Sequence, residues 1–129
     1  MLENTENIIN TWMTSSDNDY NAMIDMIKTK HYNWSLFLGH LVIEKLLKAC
    51  FVKIHQQHPP LIHNLIYLAE KTGIELTNDS IDFLSTVTTF NISARYDNYT
   101  QEFYRMCTEE YTLKWYDKIT EYRIWIKEK

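Results

Sequence analysis

The most apolar stretch of the chain is residues 34–55, WSLFLGHLVIEKLLKACFVKIH. Its apolar side chains cover much more than one face of a helix, which predicts a central helix that is buried on most sides. Asn33 is placed to cap its start. The consecutive prolines Pro59 and Pro60 end it, because proline lacks the backbone donor that a helix needs and disfavours helical geometry in the preceding residue.

The composition of the whole chain also favours helices. Only two glycines and two prolines occur in 129 residues, whereas β architectures need turn residues every few positions. The length suits one domain, residues 1–129, with a single continuous core. We therefore predict one all-α domain of long helices joined by short connections.

A first helix is predicted at roughly 3–29, because core-facing positions recur there at alternating spacings of three and four residues. These positions are Ile9, Met13, Ser16, Tyr20, Met23 and Ile27. The spacing predicts that the helix runs unbroken through the polar run at 14–19, which includes Ser15 and Ser16.

Two shorter helices are predicted after the prolines. The first covers about 61–72, and Gly73 is placed to end it in the left-handed conformation that glycine tolerates. The second runs from a cap at Asn78 to about residue 91. A final helix begins near Thr108, whose hydroxyl can accept a hydrogen bond from a first-turn amide.

The charge and the cysteines narrow the classes of function. A net charge of -4 and a pI near 5.7 argue against broad capture of nucleic acid, which needs a clustered basic face. Cys50 and Cys107 lie far apart, so neither a disulfide framework nor a zinc ribbon is indicated, and we expect a reducing cytoplasm. The polar first residues and the short apolar stretches predict a protein that is neither exported nor membrane-spanning. No cofactor is expected.

One stripe of the 34–55 helix carries three polar side chains at successive i, i+4 steps: His40, Glu44 and Lys48. One interpretation is a solvent-exposed ion pair between Glu44 and Lys48 on the wet edge of the helix. The other is a stripe that faces a ligand or a partner subunit.

His63 is the second candidate, at the start of the helix predicted at 61–72. Its imidazole either caps that helix or reaches into a shared cleft. Together with His55 and His58 it suggests metal binding, but their spacing matches no zinc motif and no cysteine lies nearby. No metal site is therefore expected.

Residues 91–100, NISARYDNYT, are the least core-like segment, because helical periodicity weakens there. Arg95 presents a guanidinium beside Tyr96, a setting that suits phosphate binding. The alternative is that Arg95 caps the preceding helix or pairs with Asp97. No glycine-rich phosphate loop or familiar hydrolase motif occurs in the chain.

The order of these pieces resembles a small prokaryotic HEPN domain (higher eukaryotes and prokaryotes nucleotide-binding). The resemblance spans nearly the whole chain and follows FLGHLVIEKLLKA at 37–49, HNL at 63–65 and ARY at 94–96. It implies an up-and-down bundle of four to five helices, usually dimeric, with a cleft at the dimer interface. Many relatives have a minimal nucleotidyltransferase as partner, and some are ribonuclease toxins whose partner is the antitoxin.

The ribonuclease relatives use an Arg-x(4-6)-His motif late in the chain, in a composite site formed by two subunits. Arg95 matches the arginine of this motif. The positions for the histidine hold Thr100, Gln101 and Glu102, and no histidine follows His63. Acid-base cleavage of RNA would therefore lack its expected proton-transfer group.

These observations lead to one hypothesis and two alternatives. The hypothesis is a HEPN homodimer that binds a nucleotide or nucleic-acid fragment and works with a minimal nucleotidyltransferase in a toxin-antitoxin-like module. The expected cleft residues are His40, Glu44, Lys48, His63, Arg95 and Tyr96. The Tyr96 and Tyr99 hydroxyls are candidate contacts or targets of the nucleotidyltransferase. The alternatives are a divergent ribonuclease toxin and a structural interaction module without a ligand.

Overall fold

The computed structural model describes residues 4–129, apart from the side chain of Asp97. Over these residues the chain forms six helices and no strand, which confirms the all-α prediction. The helices are α1 (Thr5–Lys28), α2 (Tyr32–His55), α3 (Leu65–Thr72), α4 (Asn78–Arg95), α5 (Asp97–Met106) and α6 (Glu109–Lys127). None of the helices within residues 4–129 combines the length and the apolar character that crossing a membrane requires.

The four long helices alternate in direction, as an up-and-down bundle requires. α1 runs antiparallel to α2, because the start of α2 lies beside the end of α1, where the Ser35 hydroxyl donates to the Met23 carbonyl at 2.9 Å. α6 runs parallel to α2, since Lys53 donates to the carbonyl of Lys129 at 3.2 Å at their common end. The short helices α3 and α5 connect the long ones.

Aromatic pairs orient α4 against α6. Phe83, near the start of α4, stacks on Tyr122 with ring centroids 3.9 Å apart. Phe90, further along α4, meets Tyr111 at the start of α6, with centroids 6.5 Å apart. The two helices are therefore antiparallel, and α4 is antiparallel to α2 as well.

The prediction that the first helix is continuous through Ser15 and Ser16 is confirmed. Ser16 is fully buried, and its hydroxyl donates to the carbonyl of Val42 at 2.8 Å. This bond satisfies a hydroxyl that burial would otherwise leave unpaired at a cost of about 1–3 kcal/mol. The predicted start at residue 3 lies outside the described residues.

α1, α2 and α6 approach most closely at Gly39. A Cβ at this position would lie 2.6 Å from Ile119 Cδ1 and 3.1 Å from Met23 Sδ. A side chain at this position would require the end of the Ile119 side chain to shift.

A cluster of three charged residues joins α1 to α6. It consists of Asp17, Arg123 and Lys127, and we call it the Asp17 cluster. The Asp17 carboxylate accepts from Arg123 Nη2 at 3.0 Å and from Lys127 Nζ at 2.8 Å. Burial opposes ionisation of Asp17, but the hydrogen bonds and charges of the two cations outweigh it and lower its pKa.

Two predicted N-caps are wrong. α2 begins at Tyr32 with His31 as its N-cap residue, and Asn33 is buried inside the helix. α4 is capped by Thr77, whose hydroxyl accepts from the Ser80 amide at 3.1 Å, so Asn78 is the first helical residue. In both cases a neighbouring residue supplies the non-helical backbone that a cap requires.

The helix predicted at 61–72 begins only at Leu65. Asn64 has extended backbone geometry, and its side chain accepts from the Tyr67 amide at 3.0 Å, which makes Asn64 the cap. The predicted end of this helix at Gly73 is confirmed, since Gly73 is left-handed with φ 75. The predicted start of the last helix at Thr108 is confirmed as well, since the Thr108 hydroxyl accepts from the Tyr111 amide.

The segment between Asn91 and Cys107 is more regular than its sequence pattern indicates. α4 continues to Arg95, and α5 follows it after a single residue. Phe103 and Cys107 are buried and anchor α5 to the bundle. The weak periodicity arises because α5 buries few of its side chains.

Candidate functional site

The stripe of polar residues on α2 faces α3 and α1 rather than solvent. The side chains of His40, Glu44 and Lys48 are 0%, 5% and 5% exposed. The Glu44–Lys48 ion pair that the sequence predicts is present. The interpretation that this pair is exposed to solvent is wrong, because both side chains are buried. His63 joins these three residues, and we call the four the Glu44 cluster.

Glu44 is the centre of this cluster. Its Oε1 accepts a hydrogen bond from His63 Nδ1 at 2.7 Å, and its Oε2 accepts one from Lys48 Nζ at 3.2 Å. Each carboxylate oxygen thus has its own donor. The two bonds fix the orientation of the carboxylate inside the protein.

His40 holds the backbone of His63 in place. Its Nε2 donates to the carbonyl oxygen of His63 at 3.0 Å. Burial lowers the pKa of His40, and this effect exceeds the opposite influence of the His63 carbonyl and the Glu44 carboxylate. His40 is therefore neutral near pH 7, with its proton on Nε2, and its Nδ1 is buried without a hydrogen-bond partner among the described residues.

Lys48 lies between an anion and an aromatic ring. Its ammonium is 3.2 Å from Glu44 and 5.4 Å from the ring centroid of Trp12 on α1. A cation over an indole face gains electrostatic stabilisation from the ring quadrupole. Trp12 was missed by the sequence analysis, because a single aromatic on an amphipathic helix is most often a packing residue.

The segment that follows α2 carries His63 back to that helix. Pro59 and Pro60 prevent further helix, and the Ile62 amide donates to the Pro60 carbonyl at 2.9 Å in a tight turn. After His63, the Leu65 amide donates to the Thr88 hydroxyl on α4 at 3.3 Å. His63 does not cap α3. It reaches into the cluster while half of its side chain, 52%, stays exposed.

Arg95 and Tyr96 lie at the junction of α4 and α5. Both are exposed, and the Arg95 guanidinium is 5.9 Å from the centroid of the Tyr96 ring. Arg95 Nη1 donates to Asn91 Oδ1 at the long distance of 3.4 Å. The alternative that Arg95 pairs with Asp97 lies outside the described residues, because it depends on the side chain of Asp97.

No hydrogen bond or ion pair within the described part of the chain joins Arg95 to the Glu44 cluster. The two are nevertheless related through α4. Thr88, Asn91 and Arg95 follow one another at helical spacing on one stripe, and Thr88 contacts the chain two residues after His63. Arg95 lies about 10 Å further along the helix axis than Thr88, at the usual rise per residue.

A family model described as the HEPN domain matches residues 9–129. The chain belongs to the HEPN family. No curated protein and no solved structure matches it.

The expected catalytic histidine of ribonuclease relatives has no substitute on α5 of this HEPN protein. The Thr100 hydroxyl donates to the Tyr96 carbonyl at 2.9 Å within its own helix turn. Gln101 and Glu102 are exposed. None of these three side chains is an imidazole that could both accept and donate a proton near neutral pH.

The cysteines of this HEPN protein are poor nucleophiles. Burial raises the pKa of the Cys107 thiol to about 12 and also raises that of Cys50, so both remain protonated near neutral pH. In residues 4–129 no group of three or more candidate ligands could hold a metal ion. The Glu44 cluster and the Arg95 region are thus the candidate sites.

Proposed function

We propose that this HEPN protein binds a nucleotide or the end of an RNA on the surface between His63 and Arg95. It does so as a homodimer and as the partner subunit of a minimal nucleotidyltransferase in a toxin-antitoxin-like module. Family membership supports the nucleotide- or RNA-related class of function.

The observation that carries the proposal is the buried charge of the Glu44 cluster. Desolvating Glu44 and Lys48 costs several kcal/mol per ion, and their attraction offsets this only in part, so a buried pair is weak evidence of a stabilising role. The bundle already has an apolar core that includes Leu46 and Leu47 next to them. A charged group inside such a core, connected to solvent by a half-exposed histidine, therefore supports a functional role.

Two exposed groups supply the ligand contacts. The Arg95 guanidinium has donors for a phosphate in a planar fork, and its only described polar contact is the long one to Asn91. Tyr96, which is 54% exposed, offers a ring face on which a base stacks. His63 provides a third contact on the same side of α4, and one extended ligand bridges the interval between His63 and Arg95.

Binding is favoured over cleavage because of positions 100–102. Ribonuclease relatives need a histidine there, and this chain has Thr100, Gln101 and Glu102. A phosphate held by Arg95 would therefore lie beside a region of α5 that lacks the imidazole those relatives use for proton transfer. We therefore place the divergent ribonuclease second.

The homodimer is supported by large apolar side chains at the surface. Leu61, two residues before His63, is 96% exposed, and Trp34, Ile92 and Tyr96 are also exposed. Aromatic and large apolar side chains are typical of the cores of protein interfaces. We expect an interface of at least roughly 1,000 Å², and sedimentation at micromolar concentration tests whether the protein is a dimer. A monomer there would contradict the composite cleft.

The tyrosines near Arg95 are suitable contacts for the nucleotidyltransferase. Tyr96 and Tyr99 are 54% and 52% exposed, so their hydroxyls are accessible to another protein. A gene for a minimal nucleotidyltransferase next to this one, and co-purification of the two proteins, would support the partnership over a purely structural module.

The decisive experiment is a binding titration with adenosine triphosphate and with a short single-stranded RNA. We expect binding by the wild-type protein and a loss on the order of ten-fold in Arg95→Ala, as removal of a charge-assisted hydrogen bond implies. Arg105→Ala is the matched control, because Arg105 is also an exposed arginine, at the other end of α5. Equal losses in both variants would reduce the effect to general electrostatics and contradict the site.

The two alternatives are tested by expression of this protein alone. Growth arrest together with cleavage of RNA by the purified protein would favour the ribonuclease toxin. A harmless protein that binds neither probe at millimolar concentration would favour the structural module.

A further inference from the structure

His63 combines a fixed proton with an accessible lone pair. Its Nδ1 donates to the buried carboxylate of Glu44 at 2.7 Å, so the neutral ring carries its proton on Nδ1 and its lone pair on Nε2. The side chain is 52% exposed. The half-exposed ring of His63 is therefore the part of the Glu44 cluster that meets solvent, and no hydrogen bond among the described residues occupies its Nε2.

The surrounding residues keep this geometry fixed. Lys48 occupies the second oxygen of Glu44, which prevents the carboxylate from rotating away from His63. His40 holds the backbone carbonyl of His63 at 3.0 Å. A histidine that is oriented by a buried carboxylate through one nitrogen and presents the other is the arrangement that activates imidazoles in catalytic and metal sites.

The other four histidines lack this combination. His40 is fully buried, and Nε2 of His55 already contacts the Lys71 carbonyl. His31 is exposed but is paired with the Thr29 hydroxyl rather than with a carboxylate. His58 is exposed and lies on the same connecting segment as His63. His58 is therefore a reference for exposure without the carboxylate.

We propose that His63 Nε2 is a covalent acceptor of a phosphoryl or nucleotidyl group from an activated phosphate. The lone pair of Nε2 attacks phosphorus and forms a P–N bond, while the bond from phosphorus to the leaving group breaks. With a nucleoside triphosphate as donor, the α-phosphorus is attacked and pyrophosphate leaves with the electron pair. The proton on Nδ1 stays in place.

Glu44 accounts for why the reaction would occur at this histidine. Attack by Nε2 while Nδ1 keeps its proton makes the ring cationic. The carboxylate at 2.7 Å stabilises this developing charge and is already oriented before the reaction begins. Glu44 and His40 are thus positioning residues for His63.

The inference rests on the proposed function in one respect only, which is that a nucleotidyltransferase partner would deliver the activated phosphate in the cell. The nucleophilicity of His63 is a property of this chain alone. It can therefore be measured with small activated phosphates that need no enzyme.

The test uses potassium phosphoramidate as a phosphoryl donor and adenosine 5′-phosphorimidazolide as an adenylyl donor, each with the purified full chain. Mass spectrometry of peptides, under conditions that preserve acid-labile P–N bonds, gives the rate of labelling at each histidine. We expect His63 to react on the order of ten-fold faster than His58, the gain expected from one charge-assisted hydrogen bond. A larger ratio of His63 to His58 labelling with the adenylyl donor would favour a nucleotidyl group as the modification, and a larger ratio with phosphoramidate a phosphoryl group, because each ratio cancels the intrinsic reactivity of its donor.

Glu44→Gln tests whether Glu44 activates His63 or only attaches the segment that carries His63 to α2. The amide retains a hydrogen-bonding oxygen but no negative charge, so labelling of His63 should slow to the rate of His58, with labelling of His58 itself unchanged. Equal rates for His58 and His63 in the wild-type protein would overturn the proposal without any variant. In that case the Glu44–His63 bond only attaches the segment, and nucleotide binding, measured separately, would stand or fall on its own.

Discussion

The Asp17 cluster and the Glu44 cluster both place one carboxylate between two basic groups, but solvent reaches them differently. The side chain of Asp17 is 45% exposed, whereas that of Glu44 is 5% exposed. An exposed ion pair adds little to the free energy of unfolding, because each charged group gives up favourable contacts with water to form it. A buried cluster must stay complete, because removing one member leaves a desolvated charge behind. Similar side chains thus join two helices in one place and, as we propose, form a functional centre in the other.

The largest expected effect is on stability when the central carboxylate is removed from each cluster. Glu44→Ala leaves the Lys48 ammonium buried without its anion, and we expect a loss of about 3–5 kcal/mol in the free energy of unfolding. Asp17→Ala should cost about 1 kcal/mol or less, because its partners can turn to water. Urea denaturation followed by circular dichroism measures both. Equal losses would show that burial does not distinguish the clusters.

The next effect is on the pH dependence of stability, which differs between the two clusters. His40 has a lowered pKa in the folded protein, so below the unfolded value of 6.5 the unfolded chain binds more protons. Stability therefore decreases as the pH falls from there towards the folded pKa, by up to about 1.4 kcal/mol per pH unit. The Asp17 carboxyl also has a lowered pKa, so its contribution is present above 3.8 and is lost only as the pH falls below that value.

This pH dependence can be assigned with two variants. His40→Gln should flatten the decrease in stability between about pH 7 and pH 5, the range in which histidine titrates. His58→Gln, at an exposed position, should leave the decrease unchanged. A decrease that persists in His40→Gln would mean that another group is responsible.

Arg95 is exposed like Asp17, but we assign it to ligand binding. Arg95→Ala should change the free energy of unfolding by no more than about 1 kcal/mol, as expected for a surface residue. Arg95→Lys should recover only part of the lost binding, because lysine keeps the charge but lacks the planar fork. Thermal unfolding and the nucleotide titration provide the two measurements. An unfolded Arg95→Ala protein would identify Arg95 as a structural cap of α4.

The smallest expected effect on stability comes from removing the buried charges together. Glu44→Leu combined with Lys48→Met replaces the pair with apolar groups of similar size, which is often neutral or stabilising. We expect stability within about 1 kcal/mol of wild type, together with loss of the enhanced labelling of His63. A double variant as unstable as Glu44→Ala would show that the charges themselves support the fold.

Most of the fold could be predicted because its signals are local. The spacing of Ile9, Ser16 and Met23 extends through the polar run of α1, and the glycine and threonine at helix ends act on their own turns. α5 was missed because it buries only Phe103 among its described side chains, too few to create a periodic pattern. Its position depends on contact with the rest of the bundle.

The residues of the Glu44 cluster were candidates in the sequence, but their burial was not predicted. Helical spacing brought His40, Glu44 and Lys48 to one stripe, yet it could not show that the stripe is buried. That depends on His63 and Trp12, which are distant in sequence and meet the stripe only after α3 and α1 have packed against α2.

Gly39 connects the packing of the bundle with variation among relatives. A Cβ there would lie 2.6 Å from Ile119 Cδ1, so alanine at this position favours a shifted rotamer or a shorter side chain opposite, such as valine or alanine. The two positions should therefore covary in an alignment of close relatives.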